Sequence, residues 1–238
     1  MRRTSGPGEP SASLETLVAV ALNPRGDGIA VIRLEKEKLK EQAAKTPPDV
    51  SFRKLKDVAV LKIPVLVEKS VGQVRDVLVQ MPERLIVDLR GNAGGAFDTI
   101  ARVAEPFLQP SAVVVTLVSH EGTSDYVTPG PDGKRRRAAF VVLVDEETNS
   151  GALALAAALV DHTKAKVAGR LAKRISGTVT TLRPLSLDRG KLGDGYVRFP
   201  TGGLKRPNGA LLADGLKLDI PVNATGEAAV AEAVKAFK

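Results

Sequence analysis

The chain has 238 residues, 43% of them hydrophobic but only 3% aromatic, and a formal net charge of +8. It holds no cysteine and only two histidines, His120 and His162, which excludes disulfides and thiolate metal sites within it and leaves too few ligands for a histidine-based metal cluster; no cofactor and no metal are expected. No apolar run is long enough to span a bilayer, and a core so poor in aromatics must be built from Val, Leu, Ile and Ala.

In chain order, residues 1–13 are rich in Pro, Gly and Ser and predict a disordered leader. Arg2 and Arg3 precede a short apolar run at 14–22, which makes a poor signal peptide. Residues 14–22 and 29–34 predict short strands around the turn at 23–28, and the charged stretch 35–44 predicts a helix. Thr46-Pro47-Pro48-Asp49 reads as a boundary, giving an N-terminal segment 1–50 and a domain 51–238. The domain then alternates. Strands are expected at 58–67, 85–89, 112–118, 140–144, 165–168, 178–187 and 195–199. Helices are expected at 69–80, at 97–108 with Pro110 as the stop, at 151–162 and at 227–237. Such alternation argues an α/β layered domain with a mainly parallel sheet.

Two turns carry candidate chemistry. The strand Leu85-Ile86-Val87-Asp88-Leu89 runs into Arg90-Gly91-Asn92-Ala93-Gly94-Gly95, whose glycines expose backbone N–H groups at a strand exit, as oxyanion holes require. The plain alternative is a strand-to-helix turn. Ser150 lies between the 140–144 strand and the helix that starts near Gly151. A hydroxyl there meets the positive end of a helix dipole, and Gly151 offers a second amide. The plain alternative is an N-cap, which Thr148, Asn149 or Ser150 would fill. Other cues carry less. Ser119, His120 and Asp125 have the letters of a triad but no supporting spacing. His162 suits a helix C-terminus as a favourable charge. The basic run Lys134, Arg135, Arg136 and Arg137 follows a Pro/Gly turn without aromatic partners, so it reads as a solvated hairpin tip and no nucleic-acid partner is expected.

The first turn resembles the Asp-Leu-Arg-Gly-Asn-Pro-Gly-Gly signature of the C-terminal processing (tail-specific) serine peptidases, with Ala93 in place of the proline. Residues 139–151 resemble the family's nucleophile strand and turn, and 179–186 its Val-Gln-Thr-Val-x-Pro-Leu-Ser strand. Residues 199–203 and 214–222 resemble its closing segments. Several short motifs in the right order are more specific than any one of them. The resemblance implies a ClpP/crotonase-like fold. It implies Ser150 as nucleophile, and Gly94, Gly95 and Gly151 as oxyanion-hole donors. It implies a polypeptide as substrate or bound peptide, allows an oligomer, and favours an extracytoplasmic location in periplasm or lumen. Family members normally carry a PDZ domain before the catalytic domain; the residues ahead of the boundary are too few for a complete one plus its leader, and 28–34 read as the last PDZ strand or a remnant of it.

One departure bears on chemistry. The family's general base is a lysine in Gly-Lys-Gly-Thr/Ser-Val-Gln. Anchoring on Gly177-Thr178-Val179 places Ser176 at the lysine, anchoring on Gly169 places Ile175 there, and the orienting glutamine falls on Thr180. Lys173 is the nearest substitute base, three residues off along the chain. The expectation is therefore a serine peptidase with impaired or lost activity. The alternatives are a pseudopeptidase that binds peptide or serves as a scaffold subunit, and a basic module for an acidic partner.

Overall fold

The computed structural model describes residues 16–22, 29–35, 46–79, 82–130, 138–173, 175, 177–186 and 194–237. The expected helix at 35–44 and the basic run from Lys134 to Arg137 lie outside the described residues. The strands are β1 (Thr16–Leu22), β2 (Ile29–Glu35), β3 (Ser51–Leu55), β4 (Val58–Lys62), β5 (Arg84–Asp88), β6 (Val113–Ser119), β7 (Gly122–Val127), β8 (Ala139–Val144), β9 (Lys166–Gly169), β10 (Thr178–Ser186), β11 (Asp194–Lys205) and β12 (Ile220–Pro221). The α-helices are α1 (Glu68–Val77), α2 (Phe97–Ala104), α3 (Ser150–Thr163) and α4 (Gly226–Val234).

Two units divide the chain: Met1–Thr46 with Thr180–Phe199, and Pro47–Val179 with Pro200–Lys238. In the first, β1 and β2 pair antiparallel, and β1 pairs parallel with the start of β11, Ala19 opposite Tyr196. The second is built on a sheet of order β12-β9-β8-β5-β4-β3, parallel throughout except for the antiparallel edge strand β3. It also holds the hairpin β6–β7, on which the end of β11 pairs antiparallel.

The parallel strands are apolar at nearly every position because both faces of the sheet are covered. Successive side chains go to opposite faces. Ala59, Leu61, Leu85, Val87, Phe140, Val142 and Val167 join one core with residues of α1, α2 and α3. Val58, Val60, Ile86, Val141, Leu143 and Ala168 join a second core with Ala229, Val230 and Ala233 of α4. Helix α3 is apolar on all sides, Gly151 to Leu159 without interruption, and it is buried accordingly.

Some boundaries differ from the expectations, for local reasons. Strand β4 ends at Lys62 rather than continuing to 67, because Pro64 has no N–H to extend a ladder. Helix α2 ends at Ala104 rather than 108, because Pro106 has no N–H to continue the helical ladder beyond Glu105. Strands β3 and β7 are additional, and β11 runs on to Lys205.

Candidate functional site

Strands β5 and β8 are parallel neighbours, Asp88 beside Leu143, so the turns that follow them emerge side by side. Asp88 closes β5 and is 1% exposed. Arg90 folds back on it, Nε 2.9 Å from Oδ1 and Nη2 2.7 Å from Oδ2, and the Arg90 N–H also donates to Oδ1 at 3.1 Å. These bonds to Asp88 raise the Arg90 pKa above its ordinary value against an opposing desolvation. The chain is thereby turned sharply at the strand exit.

Asn92 then ties three segments together from a fully buried position. Its Nδ2 donates to Ile63 O at 2.8 Å, its Oδ1 accepts from Gly94 N–H at 2.8 Å, and its carbonyl accepts from Asn149 N–H at 3.1 Å. The second of these is an Asx turn, and Asn two residues before Gly was its sequence signal. On the neighbouring turn, Asp145 accepts from the N–H groups of Gly91, Glu147 and Thr148, while the buried Thr148 hydroxyl donates to Leu89 O at 2.9 Å. The two turns thus brace each other through backbone groups.

Asn149 is the N-cap of α3, and its Oδ1 accepts from Ser150 N–H at 2.7 Å. Capping therefore falls to Asn149, which leaves the Ser150 side chain free of that task. Ser150 has φ 48°, a left-handed conformation that costs a non-glycine residue about 1–2 kcal/mol. Its side chain is half-buried, and among the described residues its Oγ has no hydrogen-bond partner.

The glycine turn packs directly against this corner. Gly94 has φ 113°, and a Cβ there would lie 2.7 Å from Gly151 N and 3.1 Å from Ser150 Cβ. A Cβ on Gly151 would lie 2.1 Å from Ile100 Cδ1 and 3.1 Å from Gly95 N. Gly95 is held from its other side by a parallel bridge to Leu66. The structure thus brings Ser150, Gly94, Gly95 and Gly151 together. The Gly94 N–H is engaged by Asn92, whereas among the described residues no acceptor faces the N–H of Gly95 or Gly151.

No proton acceptor of the expected kind joins them among the described residues. Lys173 is exposed and makes neither an ion pair nor a hydrogen bond among those residues. Ile175 is half-buried, its Cδ1 2.8 Å from where a Cβ on Gly215 would stand, and Ser176 lies outside the described residues. Thr180 is exposed. The letters of the Ser119–His120–Asp125 triad are not assembled: Asp125 accepts from the Thr116 hydroxyl at 2.6 Å, and His120 is 3.8 Å from Glu121. His162 Nε2 lies 2.7 Å from Val113 O. No helix among the described residues is long and apolar enough to cross a membrane.

A parallel sheet that carries a glycine turn and a serine corner on adjacent strand exits defines a mixed α/β domain of the ClpP/crotonase type. The sequence profile of peptidase family S41 matches residues 57–222, and the chain belongs to that family. It is 25% identical over 150 residues to a probable CtpA-like serine protease of Staphylococcus aureus (strain N315), covering 61% of this chain and 29% of that protein. It is 26% identical over 125 residues to the probable CtpA-like serine protease of Staphylococcus haemolyticus (strain JCSC1435), covering 50% and 25%. The chain thus spans under a third of the length of these relatives. Its fold is similar to that of the photosystem II D1 C-terminal processing protease, with TM-score 0.57 at 19% identity over 82% of this chain and 52% of that one. It is similar also to a lipoprotein from Streptococcus agalactiae, with TM-score 0.62 at 16% identity over 85% and 73%.

Proposed function

We propose that this chain is the catalytic domain of a C-terminal processing serine peptidase in which Ser150 is the nucleophile and hydrolysis is strongly impaired. The observation that carries the reading is Ser150 itself: a strained serine with an unengaged Oγ, set against two unengaged amides, those of Gly95 and Gly151. Attack of Oγ on a peptide carbonyl would place the developing oxyanion on those N–H groups at the N-terminus of α3. Gly94 contributes by shape, since only a glycine lets the turn approach Gly151 so closely.

The impairment follows from the base. A serine hydroxyl needs a neighbouring proton acceptor, and a positioned one is worth roughly 100- to 10,000-fold in rate. Ile175 carries no proton-accepting group, and Lys173 is exposed. A corner that keeps its amides and, among the described residues, lacks its base also suits a pseudopeptidase, which would hold an extended peptide by strand addition. Peptide is the partner in both readings.

The purified chain treated with a fluorophosphonate probe decides between them. Slow labelling that Ser150→Ala abolishes is expected, together with turnover of an unstructured peptide about 100-fold or more below that of an S41 peptidase bearing the lysine. No labelling at any probe concentration would leave the binding role alone. Full peptidase turnover would show that a base is present after all.

A further inference from the structure

The C-terminal ends of β4, β5, β8 and β9, with residues 222–229, line an open cavity of about 250 Å³. Leu143, Val222 and Ala229, all members of the α4-side core, line it, whereas the Ser150 corner leads into α3 on the other face. Lys62, Arg90 and Arg170 also line it, with Asp145 as the sole carboxylate among the lining residues.

The charges do not cancel. Asp145 accepts from the N–H groups of Gly91, Glu147 and Thr148, mostly on Oδ1, which offsets much of its charge. Arg90 is committed: Nε and Nη2 bond Asp88, and Nη1 donates to Gly226 O at 3.0 Å. Arg170 is held loosely, Nη2 3.4 Å from Glu146 Oε2 in a pair exposed enough to be screened and Nη1 3.5 Å from Asn223 O. Lys62 has no ion-pair partner among the described residues. The cavity therefore offers three cations against one carboxylate, two of those cations with spare donors, together with the Thr225 hydroxyl and an apolar wall. An ammonium would meet the excess of positive charge, and a neutral polar group would leave that charge unanswered. A bare inorganic anion leaves the apolar wall uncovered.

We infer that this cavity binds a small organic carboxylate, one carboxyl group next to a short branched apolar group. A free acid and the C-terminal residue of a peptide share this chemistry. The carboxylate sits between Lys62 and Arg170, and the apolar group lies on Leu143, Val222 and Ala229. The site does not use Ser150, so it stands or falls independently of the proposed catalytic role.

The test is a titration of the full chain followed by backbone amide NMR at constant ionic strength. The probes are N-acetylvaline, N-acetylvalinamide, inorganic phosphate, and a hexapeptide ending in valine with a free carboxylate. N-acetylvaline is expected to shift the Gly91, Gly169 and Gly226 amides in a saturable way, and the amide to leave them unchanged. Lys62→Ala, at an exposed position, and Arg170→Ala, at a half-buried one, are each expected to weaken binding about five-fold or more, with thermal midpoints confirming that they fold. Ser150→Ala is expected to bind as the parent does. Tighter binding of the hexapeptide identifies a peptide terminus as the ligand, and equal or weaker binding identifies a free acid. Equal response to acid and amide, tighter binding of phosphate than of N-acetylvaline, or indifference to both cation substitutions would overturn the inference.

Discussion

At the scale of the residue, the site depends on groups that do no chemistry. Asn92→Ala removes the Nδ2 donor from Ile63 O, in a place closed to water, and the Oδ1 acceptor from the part-buried Gly94 N–H. Orphaned buried groups cost about 1–3 kcal/mol each, so chemical denaturation is expected to show a loss of roughly 2–4 kcal/mol. Gly151 makes the same point through space. A Cβ on Gly151 would strike Ile100 Cδ1 at 2.1 Å. Gly151→Ala is expected to destabilise by about 1–3 kcal/mol through overpacking. Ile100→Val removes the offending carbon, so Gly151→Ala/Ile100→Val is expected to recover most of that loss. A double-mutant cycle should return a coupling of about 1 kcal/mol or more; additive losses would show that Ile100 is not what excludes the methyl.

At the scale of the element, what the sequence revealed follows from burial. Strands β4, β5 and β8 were legible because a sheet covered on both faces needs continuous apolar runs. Strand β7 was not, since Gly122 to Val127 is polar and mostly exposed and owes its conformation to pairing with β6. The prolines that end β4 and α2, Pro64 and Pro106, were in plain view, but apolar residues beyond them carried the pattern on. The serine and glycine turns were each visible as strand exits, yet their adjacency comes from the β5–β8 register, which no local pattern encodes. Long-range ion pairs are equally invisible. Arg206 bonds Asp161 through Nη2 at 2.6 Å and Nε at 3.3 Å, and so fastens the segment after β11 to α3, with side chains 12% and 7% exposed. Asp161→Ala leaves the part-buried Arg206 guanidinium with Gly215 O as its remaining partner and is expected to cost about 2–3 kcal/mol in urea unfolding. Asp161→Leu/Arg206→Met, which removes both charges, is expected to cost clearly less than either single change. A double variant as unstable as the worse single one would mean that packing of the arginine stem carries the effect.

At the scale of the whole molecule, the central sheet has two faces that are covered very unequally. Helices α1, α2 and α3 share one face, whereas α4 supplies most of the helical cover on the other. Val60, Ile86, Val141 and Leu143 point toward α4 and are at most 2% exposed. Full burial of such side chains stabilises by about 1.5–3 kcal/mol each. Stripping half the cover from four of them costs roughly 3–6 kcal/mol, against a total stability of about 5–15 kcal/mol for a domain. A chain ending at Thr225 is therefore expected to lose cooperative urea unfolding and to bind a hydrophobic dye such as ANS. Because Gly226 and Ala229 line the cation-rimmed cavity, it is also expected to lose N-acetylvaline binding. The milder variant Val230→Ala keeps the helix and trims only its contact. A core truncation of this kind costs about 1–3 kcal/mol, so this variant should remain folded with a lowered urea midpoint and a preserved carboxylate site. The pair separates the two roles of α4. If the truncated chain unfolds at the parent's urea midpoint, the second face does not need its helix, and the two-sided account of this sheet fails.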